Sequence, residues 1–366
     1  MSAIVRLGIV GFGVMGSGHA RNILEGKVPG CELTAVCDVE PAKMDWIKVE
    51  HPSVRVFESA AALLESGAID AVLISTPHYD HPLIAIEAFE RKIHVMVEKP
   101  AGVYTKNVRE MNAKAAQSGV VFGIMYNQRT HPVYRKMHEM VHSGELGAIK
   151  RISWLVTNWY RSQAYYDTGG WRATWKGEGG GVLINQCPHN LDLWQWICGM
   201  PKRVTAFAHE GKWHNIEVED DVTAYVEYEN GATGIFVTST ADCPGNNRFE
   251  IMGDMGKLVC EDEQLTYYKL EKGERDFNRE NMEMFGVPAY EKIALDCPGE
   301  FTMHVGVLAA FVEKINNKGE LYAKGEEGIN GLTISNAMHL SSWLGTTVEL
   351  PLDEDLFLAE LKKRWR

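Results

Sequence analysis

Gly11-Phe12-Gly13-Val14-Met15-Gly16 follows directly on the apolar run Val5-Arg6-Leu7-Gly8-Ile9-Val10, and that juncture constrains the fold more than any other stretch. The first glycine permits a tight turn after a strand, the second lets backbone approach a pyrophosphate, and the third allows close helix–strand packing. A helix opening there turns unpaired N–H groups and a positive dipole end towards phosphate. The motif is informative only between a strand and a helix, and here it has both neighbours. The alternation continues: residues 5–10, 33–37, 54–57, 71–75, 94–97 and 120–125 read as short apolar strands, separated by helical patterns such as 82–89. Near-continuous apolar strands suit a parallel sheet covered on both faces. A doubly wound α/β domain over residues 1–125 is therefore expected.

From residue 149 the texture changes. Runs at 149–156, 203–209, 222–228, 233–238, 249–252 and 257–260 follow one another, with turn signals such as Glu229-Asn230-Gly231 between them. That pattern predicts an α+β second domain, residues 126–366, with a mostly antiparallel sheet. One clear helix is expected at 188–198 and others near 301–315 and 328–344, while the charged stretch 271–283 reads as an exposed excursion. At 366 residues, two domains suit the length.

Several function classes are excluded by composition. A formal net charge of -12 argues against nucleic acid and anionic membranes as partners. No apolar run approaches the ~20 residues of a membrane span, and the N-terminus leads straight into a strand rather than a signal peptide. Seven cysteines without Cys-x-x-Cys spacing read as reduced thiols in a cytoplasmic protein.

Asp38 closes the second strand, where a carboxylate accepts hydrogen bonds from the adenosine ribose and repels a 2′-phosphate. No arginine follows it, so NAD is expected over NADP. Ser75-Thr76-Pro77 closes the fourth strand at the carboxyl edge of the sheet, and His78 and His81 come next, either as cofactor neighbours or as helix-start residues. Gly11, Phe12, Gly13, Val14 and Met15 form the expected phosphate cradle.

With Glu98-Lys99-Pro100 ending the fifth strand, the chain resembles the glucose-fructose oxidoreductase / inositol dehydrogenase (Gfo/Idh/MocA) family. The resemblance runs in order through His81, His94 to Pro100, Tyr126-Asn127-Gln128-Arg129, Gly144-Glu145-Leu146-Gly147 and Gly179 to Asn185, then His189 and Asp192. It implies an N-terminal Rossmann domain, a C-terminal open sheet that often forms a dimer or tetramer interface, and a site between the domains acting on a secondary alcohol of a sugar or inositol. By the same resemblance Lys99 touches the nicotinamide ribose and the reacting oxygen, His189 transfers the proton, and Glu98, Asn127, Trp171 and Arg172 border the cofactor. One position departs from the pattern: many relatives carry aspartate where this chain has Asn185. A carboxylate would hold Lys99 protonated and an amide does not, so a less elevated Lys99 pKa or an altered hydrogen bond to substrate is expected.

Oxidising a carbinol requires a base for the hydroxyl proton and a cation for the developing alkoxide. Pro188 suits the first helical position, which puts His189 in the first turn, where the helix dipole favours neutral imidazole. Asp192 shares that helix face and can orient the ring or bind a substrate hydroxyl. A metal set of His189, Asp192 and Asn185 lacks thiolates and a second close histidine, and is set aside. Seven of the ten tryptophans lie between Trp154 and Trp213. Aromatic faces suit the C–H faces of pyranose rings, so Trp159, Tyr160 and Trp175 are read as substrate-facing and Trp194 and Trp196 as packing. Tyr126 and Arg129, after the sixth strand, are expected to line the same cleft. The functions weighed are an NAD-dependent dehydrogenase of a pyranoside ring hydroxyl, with carbon 3 as one position, and an inositol 2-dehydrogenase. A redox-neutral NAD-dependent glycosidase and a non-catalytic NAD sensor are the readings from other classes.

Overall fold

In the computed structural model, which describes residues 3–366, chain contacts divide the protein into two units. The first holds residues up to 130 together with 177–179 and 302–332; the second holds 131–176, 180–301 and 333–366. Where the sequence reading cut the chain once, after residue 125, the contacts divide it at several points.

The first unit runs β1 (Val5–Val10), α1 (Val14–Leu24), β2 (Cys31–Cys37), α2 (Asp45–Glu50), β3 (Arg55–Phe57), α3 (Ala60–Glu65), β4 (Ala71–Ile74), α4 (Asp80–Glu90), β5 (His94–Val97), α5 (Thr105–Ser118) and β6 (Phe122–Ile124). Its six strands are all parallel, in the order β3-β2-β1-β4-β5-β6. The order reverses between β1 and β4, and in such sheets the crevice beyond the carboxyl ends at that point binds ligands. β4 is buried at every position, as its uninterrupted apolar sequence requires.

The second unit contributes α6 (Pro132–His142), β7 (Ile149–Val156), α7 (Gln163–Tyr166), α8 (Pro188–Cys198), β8 (Arg203–Glu210), β9 (Glu219–Glu227), β10 (Thr233–Ser239), β11 (Asn247–Gly253), β12 (Gly256–Glu261), β13 (Gln264–Leu270), α9 (Glu274–Glu280) and β14 (Tyr290–Leu295). After them come α10 (Met303–Ile315), α11 (Gly328–Leu344), β15 (Val348–Glu349) and α12 (Glu354–Lys362). Nine strands form one sheet, β14-β13-β12-β11-β7-β10-β9-β8-β15, in which only β7 and β10 pair in parallel. The sheet is thus mixed and mostly antiparallel. The helix expected at 188–198 is α8, and Trp194 docks it: the indole lies 5.6 Å from Phe236 and 6.1 Å from Phe249, and its Nε1–H donates to the Tyr228 hydroxyl at 2.6 Å. Burying one such ring is worth several kcal/mol, roughly the 3–5 lost on truncation to alanine.

The reading of 271–283 as an excursion corresponds to α9, which buries no residue. β13 and β14, which flank it, escaped the sequence reading because their alternation is broken by charged residues and β14 is an edge strand. α10 belongs to the first unit for a plain reason. Val307, Leu308, Phe311 and Val312 share the core formed by Val5, Leu7, Ile9, Phe12 and Leu73.

Candidate functional site

The glycine loop is shaped by what it must avoid. A Cβ on Gly11 (φ +90°) would stand 2.6 Å from the Ser75 backbone, and one on Gly16 would stand 2.0 Å from the Gly11 carbonyl oxygen. Around Gly13 a Cβ would meet nothing within 4 Å, so the outer side of the loop is open. α1 starts without a capping side chain or an acidic residue in its first turn, which leaves its leading N–H groups for an anion. Val14, 91% exposed, and the exposed Met15 lie beside that opening. Phe12 offers the loop only its backbone. Its ring is buried and stacks on Trp46 at 5.6 Å.

Asp38 is buried at the end of β2, accepting the Phe12 N–H at 2.7 Å and the Glu40 N–H at 2.9 Å. The Lys43 ammonium lies 3.6 Å from it. The Ser75 hydroxyl donates to the Gly11 carbonyl at 2.7 Å and so fastens the end of β4 to the loop. Pro77 is half-buried beside them. The hydroxyl of Thr76 and the side-chain oxygen of Asn127 are buried and make no hydrogen bond within the protein. Open loop, uncapped helix start, strand-end carboxylate and unsatisfied polar atoms together fit a dinucleotide. Gly13, Val14 and Met15 would hold its pyrophosphate through backbone N–H groups, and Asp38 its ribose.

Lys99 stands half-buried immediately after β5, and its peptide bond to Pro100 is cis. The neighbouring Glu98 is buried. One carboxylate oxygen lies 2.7 Å from His19 Nε2 and the other accepts the Lys99 N–H at 3.1 Å. Burial pushes the Glu98 carboxyl up, yet His19, His304 and Lys99 outweigh it and hold the group at about 2. Asn127 Nδ2 approaches the His304 ring at 3.2 Å, and burial holds that imidazole below its ordinary value. Glu98 therefore steadies the backbone of Lys99, and His19 and His304 complete a cluster that the sequence reading did not include. The signal for His19 was its place three residues after Gly16, on the buried face of α1.

Three of the expected contacts are corrected here. The ring nitrogens of buried His81 lie 2.8 Å from the Pro100 and Thr76 carbonyl oxygens, so His81 ties two loops and presents no nitrogen to a cofactor. Arg129, 2% exposed, is ion-paired with Glu327. Tyr126 is buried under that guanidinium, 5.7 Å from its ring centre. Both serve the packing of the first unit because the returning segment 302–332 covers them. His78 is also buried, with Nδ1 3.0 Å from the Glu178 carbonyl.

In the second unit the geometry is organised around the start of α8. Pro188 occupies the first helical position and His189 follows in the first turn, buried to within a tenth of its surface. Asp192, 0% exposed, accepts from Gln195 Nε2 at 3.1 Å. Asn185 is half-buried, its N–H bonded to the Gly181 carbonyl at 2.9 Å. Trp159 reaches the same helix: its Nε1–H donates to Asn190 Oδ1 at 3.1 Å, one residue beyond His189. Tyr160 beside it is 51% exposed. Arg172 donates to the Tyr165 hydroxyl at 2.6 Å and lies 4.7 Å over the Trp171 ring, while Gln186 reaches the same hydroxyl at 3.3 Å. Tyr165, Gln186 and Asn190 were not among the expected site residues. Trp175 is corrected: 2% exposed, it packs edge-on to His339 and Trp343 in the interior, so it has no surface for a sugar.

Among the described residues no helix is long and apolar enough to cross a membrane. Residues 5–126 match the model of an oxidoreductase family with an NAD-binding Rossmann fold, and residues 134–259 match the GFO/IDH/MocA C-terminal domain. The scyllo-inositol 2-dehydrogenase (NAD(+)) of Bacillus subtilis is 27% identical over 69% of this chain and 73% of its own. The D-glucoside 3-dehydrogenase of Escherichia coli is 28% identical over 95% of this chain and 98% of its own. A crystal structure of the WlbA dehydrogenase from Chromobacterium violaceum, in complex with NADH and UDP-GlcNAcA, is 26% identical with a TM-score of 0.81, over 95% of this chain and 96% of that one. Parallel six-stranded sheet, glycine cradle and matched second domain agree, and the chain belongs to the Gfo/Idh/MocA family of NAD-binding oxidoreductases.

Proposed function

We propose that this enzyme oxidises a ring secondary hydroxyl of a sugar or glycoside with NAD, at carbon 3 of a pyranoside, with Lys99 and His189 as its catalytic residues. The observation that carries the substrate class is Trp159 bonded to Asn190, which sets an aromatic face beside the first turn of α8 and His189. Such a face suits the C–H surface of a pyranose. The match to the D-glucoside 3-dehydrogenase over nearly both full lengths supports a glycoside above an inositol. Asp38 supports NAD above NADP, since a carboxylate at the end of the second strand suits ribose hydroxyls and repels a 2′-phosphate.

When bound, the nicotinamide supplies the acceptor for the hydride leaving the carbinol carbon. The hydroxyl proton passes to His189, in the helix turn whose dipole favours the neutral base. The Lys99 ammonium supports the charge that develops on the oxygen as the carbonyl forms. Glu98, bonded to the Lys99 N–H, holds the backbone from which that ammonium extends. Asn185 binds substrate oxygen, and Asp192 orients the His189 end of the helix.

The outer face of the nine-stranded sheet carries Phe207, 64% exposed, with Tyr225, Ile235 and Leu155 also exposed. That bare apolar strip supports a homodimer or homotetramer through the sheet. All seven cysteines are free thiols, which supports a reducing, cytoplasmic location.

A panel of methyl glycosides, free sugars and inositols with NAD and with NADP, followed at 340 nm, tests the reaction. A glucoside is expected to give net NADH and a keto product; release of aglycone without net NADH would refute the dehydrogenase reading. Lys99→Met and His189→Ala are each expected to lower kcat by about 10²–10⁴, the usual contribution of general acid–base groups. Turnover within tenfold of the parent in both variants would remove them from the chemistry.

A further inference from the structure

Within the second unit, three consecutive amides converge on one residue. The Gly181 N–H donates to Glu219 Oε2 at 2.9 Å, the Val182 N–H to the Glu219 carbonyl oxygen at 3.0 Å, and the Leu183 N–H to Glu219 Oε1 at 3.0 Å. Glu219 is fully buried and opens β9, an interior strand of the nine-stranded sheet. A Cβ on Gly181 would stand 1.9 Å from the Glu219 carbonyl, so glycine is the residue that allows this approach. The carboxylate has a second partner: His339 Nε2, on α11, lies 3.1 Å from Glu219 Oε2. His339 is itself buried, edge-on to Trp175 at 5.3 Å and stacked on Trp343 at 5.4 Å. Burial raises the Glu219 carboxyl, yet the neighbouring His339 imidazole and the two amides outweigh that and hold it below its ordinary range.

The clamp is joined to the candidate site by a short chain of backbone bonds. Ile184 and Asn185 donate to the Gly181 carbonyl at 3.1 and 2.9 Å, Cys187 to Val182 at 2.8 Å, and Leu191 to Cys187 at 2.9 Å. A shift of the 181–183 turn is therefore carried to Asn185 and to the first turn of α8. Displacing a reacting group by an ångström costs about 10²-fold in rate.

We propose that Glu219 is a positioning residue of the reaction: it clamps the turn that sets Asn185 and His189, and His339 holds its carboxylate in that pose. The role assigned to His189 comes from the proposed function above, on which this inference rests. Trp175, read from the sequence as a sugar platform, instead walls in the imidazole that steadies the clamp.

The test compares Glu219→Gln, His339→Leu and His339→Gln in the full-length protein. Glu219→Gln keeps one oxygen and therefore sets an NH₂ against one of the two amides, the Gly181 or the Leu183 N–H. It is expected to speed hydrogen–deuterium exchange of the 181–183 amides at least tenfold and to lower kcat on a methyl glucopyranoside at least tenfold. KM and the dissociation constant of NADH, read by its fluorescence, are expected to stay within threefold. His339→Leu should behave alike, whereas His339→Gln, which keeps an N–H donor towards Glu219, should restore both readouts to within threefold of the parent. Unchanged exchange in Glu219→Gln, or a His339→Gln variant no better than His339→Leu, overturns the clamp. If Glu219→Gln does not fold, the two His339 variants decide alone. Should His189→Ala retain turnover, the proposed function fails, while amide exchange still reports on the clamp by itself.

Discussion

Two glycine turns do similar work in this molecule by different means. In the first unit, Gly11 and Gly16 are crowded by neighbours in the same loop and by the end of β4, and the turn is completed by the start of its own helix. In the second, Gly181 is crowded by Glu219, 38 residues further along the chain, and the turn is completed by a side chain from a sheet and an imidazole from α11. Apart from its contact with Ser75, the first turn carries its reasons within a dozen residues, so it reads as a motif. The second takes its reasons from tertiary neighbours and reads, as sequence, only as a run of glycines.

That contrast can be broken by paired substitutions. Gly16→Ala puts a methyl 2.0 Å from the Gly11 carbonyl and Gly181→Ala one 1.9 Å from the Glu219 carbonyl. Gly16→Ala is expected to abolish NADH binding measured by fluorescence titration, and Gly181→Ala to lower kcat about 10²-fold with NADH binding retained. If Gly181→Ala also lost NADH, the two turns would not be separable in the way described.

A smaller effect is expected from Asn185→Asp, which puts a carboxylate in place of the amide. An added negative charge favours protonated lysine, so the alkaline limb of the kcat profile should move up by about one unit. An unmoved profile would leave the 181–185 turn as a purely geometric device with no electrostatic share.

The smallest effect concerns the long-range element of the first unit, the segment 302–332. His304 is held below its ordinary pKa of 6.5, by burial first. The unfolded chain therefore binds a proton that the native state resists, so stability falls as pH drops below the unfolded value. Glu98 acts in the same direction but later: its native value of about 2 lies below its ordinary 4.5, so its contribution is complete above 4.5 and fades as pH falls towards 2. Urea midpoints between pH 7 and 5 should decline less steeply in His304→Gln than in the parent; an identical slope would show that this imidazole does not report on the fold.

Much of the fold was legible because its signals are local. β1, β5, β7, α8 and α11 lie where apolar runs and their stops put them. At the candidate site, the glycines, Asp38 and Lys99 are legible for the same reason: each ends or follows a strand at the carboxyl edge of a parallel sheet. What failed to read were residues whose meaning depends on partners. Arg129 looked like a cleft residue until Glu327 covered it, and Trp175 like a sugar platform until Trp343 and His339 enclosed it. Glu219, His339 and His304 carried no pattern at all, and His19 only its place on α1, since nothing in their flanks shows which buried charge they meet.

By itself, then, the sequence determined the alternation of strand and helix, the parallel sheet with its phosphate-ready loop, and the helix that begins at Pro188. These follow from steric rules acting over a few neighbouring residues. Only the tertiary structure decided which polar groups are buried together. A buried carboxylate is stable only against the donors that meet it, and those donors come from strands and helices far apart in the chain.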